Sequence, residues 1–273
     1  TLTSHLGPTR KDTMTVPLRG EPISVPFTGR RLLERALVVV RFTPVLKIAD
    51  ESGSGIAAFQ DAIRPLYPLA ELEHEAMMRF EIQADGTVHS AQEKQPVWRI
   101  SDIDKAWRVS LSARSISLET NGDNYSNWPD FAGRIGALVA AVAEHFEPSH
   151  TQYVGVRYLN AAPVGGDSDP RHDCARELVS ITGNDDLEMA DLLWRFRVDE
   201  GYMILRSGVM PPNGTYDPNL YIPRTEPNWY LDIDVANADT YEFEAQKINA
   251  AILAQVRRLH AVYLWAMKGE ARN

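Results

Sequence analysis

The stretch Asp123-Asn-Tyr-Ser-Asn-Trp-Pro-Asp-Phe131 opens an amphipathic run to Phe146, and Thr151-Gln-Tyr-Val-Gly-Val-Arg-Tyr-Leu-Asn160 follows within five residues. Trp128, Phe131, Ile135, Leu138, Val139, Val142 and Phe146 recur at intervals of three and four, which paints one apolar stripe on a helix. Asn127 is placed to cap it and Pro129 fits its first turn. Pro148 disfavours helical geometry at Glu147, so the helix is predicted to end near Phe146. The β-branched and aromatic residues from Tyr153 to Asn160 are nearly continuous, the pattern of a strand covered on both faces. Alternation then puts Tyr153, Gly155, Arg157 and Leu159 on one face and Val154, Val156, Tyr158 and Asn160 on the other.

Working outward, Ala36–Thr43 reads as a buried strand stopped by Pro44. A Gly/Ser loop, Glu51–Gly55, leads to a helix over Ile56–Leu66, and four strands at hairpin spacing follow: Ala76–Gln83, Val97–Ser101, Ala106–Leu111 and Ser115–Glu119. The order of this half is therefore β-α-β-β-β-β-α-β. Beyond Ala161–Arg171, rich in Gly, Pro and Asp, come a short helix near Cys174–Ile181 and strands at Leu192–Val198, Tyr202–Ser207 and Trp229–Val235. Pro211–Pro227 is a long proline-rich loop, and Tyr241–Met267 the longest helix. Both halves run from strands through an Asp and a Tyr (Asp123 and Tyr125; Asp239 and Tyr241) into a long helix, so the fold predicted is α+β with two similar lobes related by a weak internal duplication, each an antiparallel sheet packed on one helix. The divisions are an extended arm over 1–32, a lobe over 33–163 and a lobe over 164–273. The arm has no helical or strand period; it is either a disordered terminus or a tail ordered by a partner or by the body of the protein.

The motif Tyr125-x-x-Trp128-x-x-Phe131, a helix, and Gly155-Val156-Arg157-Tyr158-Leu159-Asn160 resembles a sporadically distributed family of uncharacterised prokaryotic proteins of about this length. Members share a Tyr-x-x-Trp helix start and a Gly-x-Arg-Tyr-x-Asn strand. The likeness extends to the Ala36–Phe42 strand and to Leu231–Lys268, where a Leu-Asp-Ile-Asp strand precedes a long helix. It implies a shared fold and brings no activity with it.

A chain of 273 residues with 44% hydrophobic content can build a core without staples. The single Cys174 excludes an internal disulfide, the first residues lack the pattern of a secretory leader, and no apolar run reaches membrane-spanning length, so a soluble cytoplasmic protein is expected. A net charge of −9 disfavours nucleic acid as a partner, although a local basic groove in the first half is compatible with it. From Ile181 to Ala245, thirteen acidic residues face four arginines, an excess equal to that of the whole chain.

Ligand spacings for zinc, calcium or a phosphate-binding loop are absent, so no cofactor and no metal is expected. Asp232-x-Asp234 could grip a divalent ion, but alternation with Leu231 and Ile233 explains it as the wet face of a strand. His74 between two glutamates and His172-Asp173-Cys174 name catalytic ingredients in contiguous positions that rarely align, and no catalytic residue is assigned. Arg157 stands out, because a guanidinium on an interior strand needs a carboxylate partner or an anionic ligand. The leading expectation is a non-catalytic adaptor for a protein partner, of basic character, contacted by Tyr216, Asp217, Tyr221 and Glu226 on the acidic loop. The alternative is an enzyme or small-ligand receptor holding an anion in a sheet-helix cleft near Arg157, with Tyr158 and Asn160 as further polar groups.

Overall fold

In the computed structural model, residues 16–22, 32–82, 88–179, 184 and 186–267 are described. The strands are β1 (Leu33–Phe42), β2 (Leu69–Ile82), β3 (Val88–Ser101), β4 (Trp107–Ser112), β5 (Ser115–Asn121), β6 (His150–Pro163), β7 (Ala190–Val198), β8 (Gly201–Met210), β9 (Asn228–Asn237) and the short β10 (Tyr241–Glu242). The helices are α1 (Ala57–Ile63), α2 (Trp128–Phe146), α3 (Arg176–Val179) and α4 (Ala245–Ala266), with short 3-10 turns at Leu46–Ala49 and Pro170–His172. None of these helices is long and apolar enough to cross a membrane.

The strands form one antiparallel sheet in the order β2-β3-β4-β5-β1-β6-β9-β8-β7, with β10 added to the start of β6. This corrects the expectation of two lobes. The strand read as interior, β6, has β1 on one edge and β9 on the other, pairing Val154–Pro163 with Asn228–Asn237 without a break. The sheet therefore passes straight through the Gly/Pro-rich segment, whose first residues, Ala161–Pro163, are strand. Burial on both faces was legible in the residues of β6, but side-chain alternation is silent about which strand fills each edge. The internal duplication falls with the two lobes, since the first strand lies in the middle of the sheet.

Both long helices pack on the same face. α2 begins and ends at the expected residues: Asn127 accepts a hydrogen bond from the Asp130 amide at 3.0 Å, and Glu147 turns into the left-handed region at φ 47° ahead of Pro148. α4 starts four residues later than the apolar stripe suggested. Tyr241 and Glu242 pair with Thr151 and His150, Phe243 packs edge-on against Phe42, and Glu244 is the cap. One core runs under both helices, joining Val38, Val40, Phe131, Ile135, Val156, Ile233, Ile252 and Leu259. At the β7–β8 hairpin, Gly201 has φ 129°, and a Cβ there would lie 2.3 Å from the Ala236 carbonyl oxygen, so the turn requires glycine.

The segment 16–22 is ordered by the body of the protein. Arg258 of α4, fully buried, donates to the carbonyls of Pro17 (2.7 Å) and Gly20 (2.6 Å) while pairing with Glu200 at 2.8 Å. Asp199 receives the Gly20 amide and the Arg19 guanidinium, each at 2.8 Å. The remainder of the arm, 1–15 and 23–31, lies outside the described residues.

Ile135 is 1% exposed at the middle of α2. Ile135→Ala removes three carbons from a close-packed core, and a loss of about 2–4 kcal/mol is expected in denaturant unfolding; an unchanged midpoint would contradict the helix-on-sheet packing.

Candidate functional site

The sheet's second face carries the chemistry. Alternation directs Arg35, Arg108, Glu119, Arg157, Leu159, Arg206, Tyr230, Asp232 and Asp234 away from the helices. Part of this face is closed by the 211–227 loop, which lays Tyr216 and Tyr221 against Tyr230 of β9 with ring centroids 5.0 to 5.6 Å apart. Leu159, Ala161 and Met210 complete this small second core.

Arg157 grips Asp232 through both a side and an end nitrogen, Nε at 2.8 Å from Oδ1 and an end nitrogen on Oδ2, and the Tyr216 hydroxyl donates to Oδ2 at 2.7 Å. Burial works against the guanidinium's charge, but the hydrogen bonds and attraction of Asp232 outweigh it and raise the Arg157 pKa. Beside this group, Arg206 pairs with Asp191, which also accepts from the Tyr230 hydroxyl at 2.6 Å, and the Arg206 guanidinium lies 3.9 Å from the Tyr216 ring centroid. Burial first, and then the neighbouring carboxylates, push the Tyr216 and Tyr230 hydroxyls well above the usual phenol range.

Next to the loop is a pocket of about 340 Å3 lined by Arg35, Lys105, Arg108 and Arg224, by Glu34 and Glu119, and by Leu159, Leu220, Tyr221 and Ile222 among others. Four cations face two carboxylates, in a chain whose net charge is −9. Arg35 bridges the pocket wall and the loop: it pairs with Glu119 at 2.7 Å and donates to the Asn219 and Leu220 carbonyls. Arg108 meets Glu119 at 3.1 Å, Arg224 pairs with Glu34, and Lys105 reaches Glu71 only at 3.9 Å. The buried Tyr221 hydroxyl has no hydrogen-bond partner among the described residues. Burial, with Glu34 adding and Arg224 opposing, pushes it up to about 12.

The residues singled out from the sequence divide between the faces. Arg157, Tyr216 and Tyr221 meet on the loop side. Tyr158 points to the helices, 2.9 Å from the Tyr125 hydroxyl, and buried Asn160 donates to the Leu231 carbonyl at 3.2 Å. The cleft expected between sheet and helix near Arg157 is therefore corrected, because Arg157 lies on the face away from the helices and is already paired. Asp217 accepts the Asn219 amide within a tight turn, and Glu226 is exposed.

The adaptor reading is corrected as well. Its aromatic anchors are spent inside the protein: Tyr221 is 2% exposed and Tyr216 is stacked beneath Arg206, so neither can be offered to a macromolecule. The weighed alternatives elsewhere are equally committed. Glu73 and Glu75 hold Arg99, His74 reaches Glu51 at 3.0 Å, and Cys174 is buried against the Pro170 carbonyl and Met267. In the Gly/Ser loop, Ser52 and Ser54 turn their hydroxyls onto Asp50. The pocket cations Arg35, Lys105, Arg108 and Arg224 were not singled out in the sequence, where a local basic groove in the first half was left open without residues to build it.

No protein-family model matches the sequence, and no curated protein does. Among solved structures, a phage SAM lyase in complex with S-methyl-5'-thioadenosine is similar at 16% identity, covering 49% of this chain and 86% of that chain, with a TM-score of 0.21.

Asp234 stands opposite Arg157 in the β6–β9 register. Burial raises its pKa from 3.8 to about 6; Arg157 opposes the shift and Asp232 adds to it. A carboxylate that binds its proton more tightly when folded makes stability fall as pH rises from the ordinary value to the raised one. Asp234→Asn is accordingly expected to stabilise the fold at neutral pH by on the order of 1–3 kcal/mol and to flatten the pH dependence between about 4 and 6. Urea unfolding of both proteins across that range checks this, and a destabilised variant would show that the ionised carboxylate is held favourably.

Proposed function

We propose that this chain is a small-ligand receptor whose pocket beside the 211–227 loop takes an anionic organic molecule. The observation that supports it is the convergence of Arg35, Lys105, Arg108 and Arg224 on one concavity of an acidic protein. Its volume falls in the range of small-molecule sites, roughly 300–1,000 Å3. Leu159, Leu220 and Ile222 give one side of the pocket an apolar surface, suited to a carbon skeleton, while the guanidinium groups suit a carboxylate or phosphate. Arg108 and Lys105, with side chains 52% and 66% exposed, are the most exposed of the four and can swing from Glu119 and Glu71 toward a ligand. Arg35 serves differently, since it holds the loop that forms the far wall. Glu34 and Glu119 keep the four cations from repelling one another and disfavour small inorganic anions that cannot also use the apolar side.

A thermal-shift panel tests this reading with inorganic phosphate, citrate and adenosine 5'-monophosphate as anionic probes and adenosine as the neutral control. An anionic organic probe present far above its dissociation constant is expected to raise the melting temperature by about 5 °C. The shift should shrink with added salt and vanish in Arg108→Gln, whose exposed position leaves folding intact. Equal shifts with adenosine, or a full shift in the variant, would remove the anion from the account.

A further inference from the structure

The two ends of the sheet are unlike. At one end β2 carries Glu71, Glu73, His74 and Glu75, all exposed, a row of charge that discourages another strand from adding on. At the other end β7, Ala-Asp-Leu-Leu-Trp-Arg-Phe-Arg-Val, has no Lys or Pro, and its exposed charges are of both signs, Asp191 against Arg195 and Arg197, where those of β2 are mostly acidic. Its nine residue pairs with β8 run without a register shift, so no bulge twists it away, and among the described residues it pairs with no other strand. Leu192 and Leu193 are exposed on it at 38% and 57%, and Met189 just before it at 55%.

We infer that β7 is a homodimer interface, pairing antiparallel with β7 of a second copy about a two-fold axis at Trp194. The sequence of the strand carries this choice of partner. Trp194 is the midpoint of Ala190–Val198, so an axis there pairs the strand along its whole length. It sets Asp191, whose carboxylate already holds Arg206 and the Tyr230 hydroxyl, opposite Arg197 of the second copy and the reverse, so that each carboxylate lies between a cation of its own copy and one of the other. On the helix side it sets Leu192 opposite the second copy's Phe196, and Trp194 opposite itself, so three apolar pairs extend the core layer across the junction. Moving the axis one residue to Leu193 puts Phe196 opposite Ala190, and moving it to Arg195 sets two arginines against each other. A two-fold perpendicular to the sheet keeps the helices of both copies on one side and leaves both ligand pockets, which lie toward the β2 end, unobstructed.

Leu193 gives a test that reads the register as well as the association. In this pairing it lies opposite Arg195 of the second copy. Sedimentation velocity at micromolar concentration is expected to show a dimer for the wild type. Leu193→Lys, which places like charges opposite one another at two positions, should raise the dimer dissociation constant about tenfold or more, while Leu193→Glu, facing arginine, should preserve the dimer. Circular dichroism confirms that these exposed substitutions leave the fold unchanged. A monomeric wild type, or a Leu193→Lys variant that dimerises as tightly as wild type, overturns the interface. Equal weakening by Lys and Glu overturns the axis at Trp194, because an axis at Leu193 would set either charge against itself.

Discussion

The bidentate pairing of Arg157 with Asp232 is the constraint on which the loop side of this molecule depends. It joins β6 to β9 across the middle of the sheet, with the Asp232 side chain 3% and the Arg157 side chain 25% exposed. A buried ion pair of this kind adds little net stability over an apolar pair, but removing one partner leaves a charge stranded and costs several kcal/mol, about 3–5 in measured cases. Its third member, Tyr216, brings the 211–227 loop down onto the sheet. Tyr221 follows into the same aromatic layer, and Leu220 and Ile222 beside it become one wall of the pocket.

From that arrangement the electrostatics of the pocket follow. The acidic excess of the second half was read as an outward surface for a partner. In the structure Asp191 and Asp232 lie on the loop face of the sheet, where they hold Arg206 and Arg157, and Arg206 also stacks on Tyr216. The cations left facing an open concavity come mainly from the first half, Arg35, Lys105 and Arg108, with Arg224 from the loop itself. An acidic chain thereby presents a locally positive site.

Much of the local structure was legible in the residues, and the reasons for success and failure are physical. The boundaries of α2 were written in Asn127, Pro129 and Pro148, because caps and prolines act through the backbone of their immediate neighbours. The faces of β6 were written in its alternation. The single sheet was not, since pairing β6 with β9 joins residues some seventy positions apart and depends on edges that alternation does not mark. The same limit explains the site. Arg157 was recognisable as a charge needing a partner, but Asp232 as that partner depends on strand order, and the meeting of Arg35 and Arg108 with Arg224 depends also on how the loop folds over the sheet. Tyr216 and Tyr221 were mistaken for surface anchors because a proline-rich loop reads as exposed unless the sheet beneath it is known.

If the Arg157–Asp232–Tyr216 group holds the loop in place, amide hydrogen exchange over 211–227 will differ between wild type and Arg157→Gln. In the wild type the Leu220 and Tyr221 amides, which donate to the Asp217 carbonyl at 3.0 and 2.8 Å, should be protected. In the variant their protection should fall sharply while that of Val38 and Ile233 in the central strands stays above it. Loop protection unchanged by the loss of the guanidinium would mean that the loop stands on its own contacts and that the ion pair serves only the sheet.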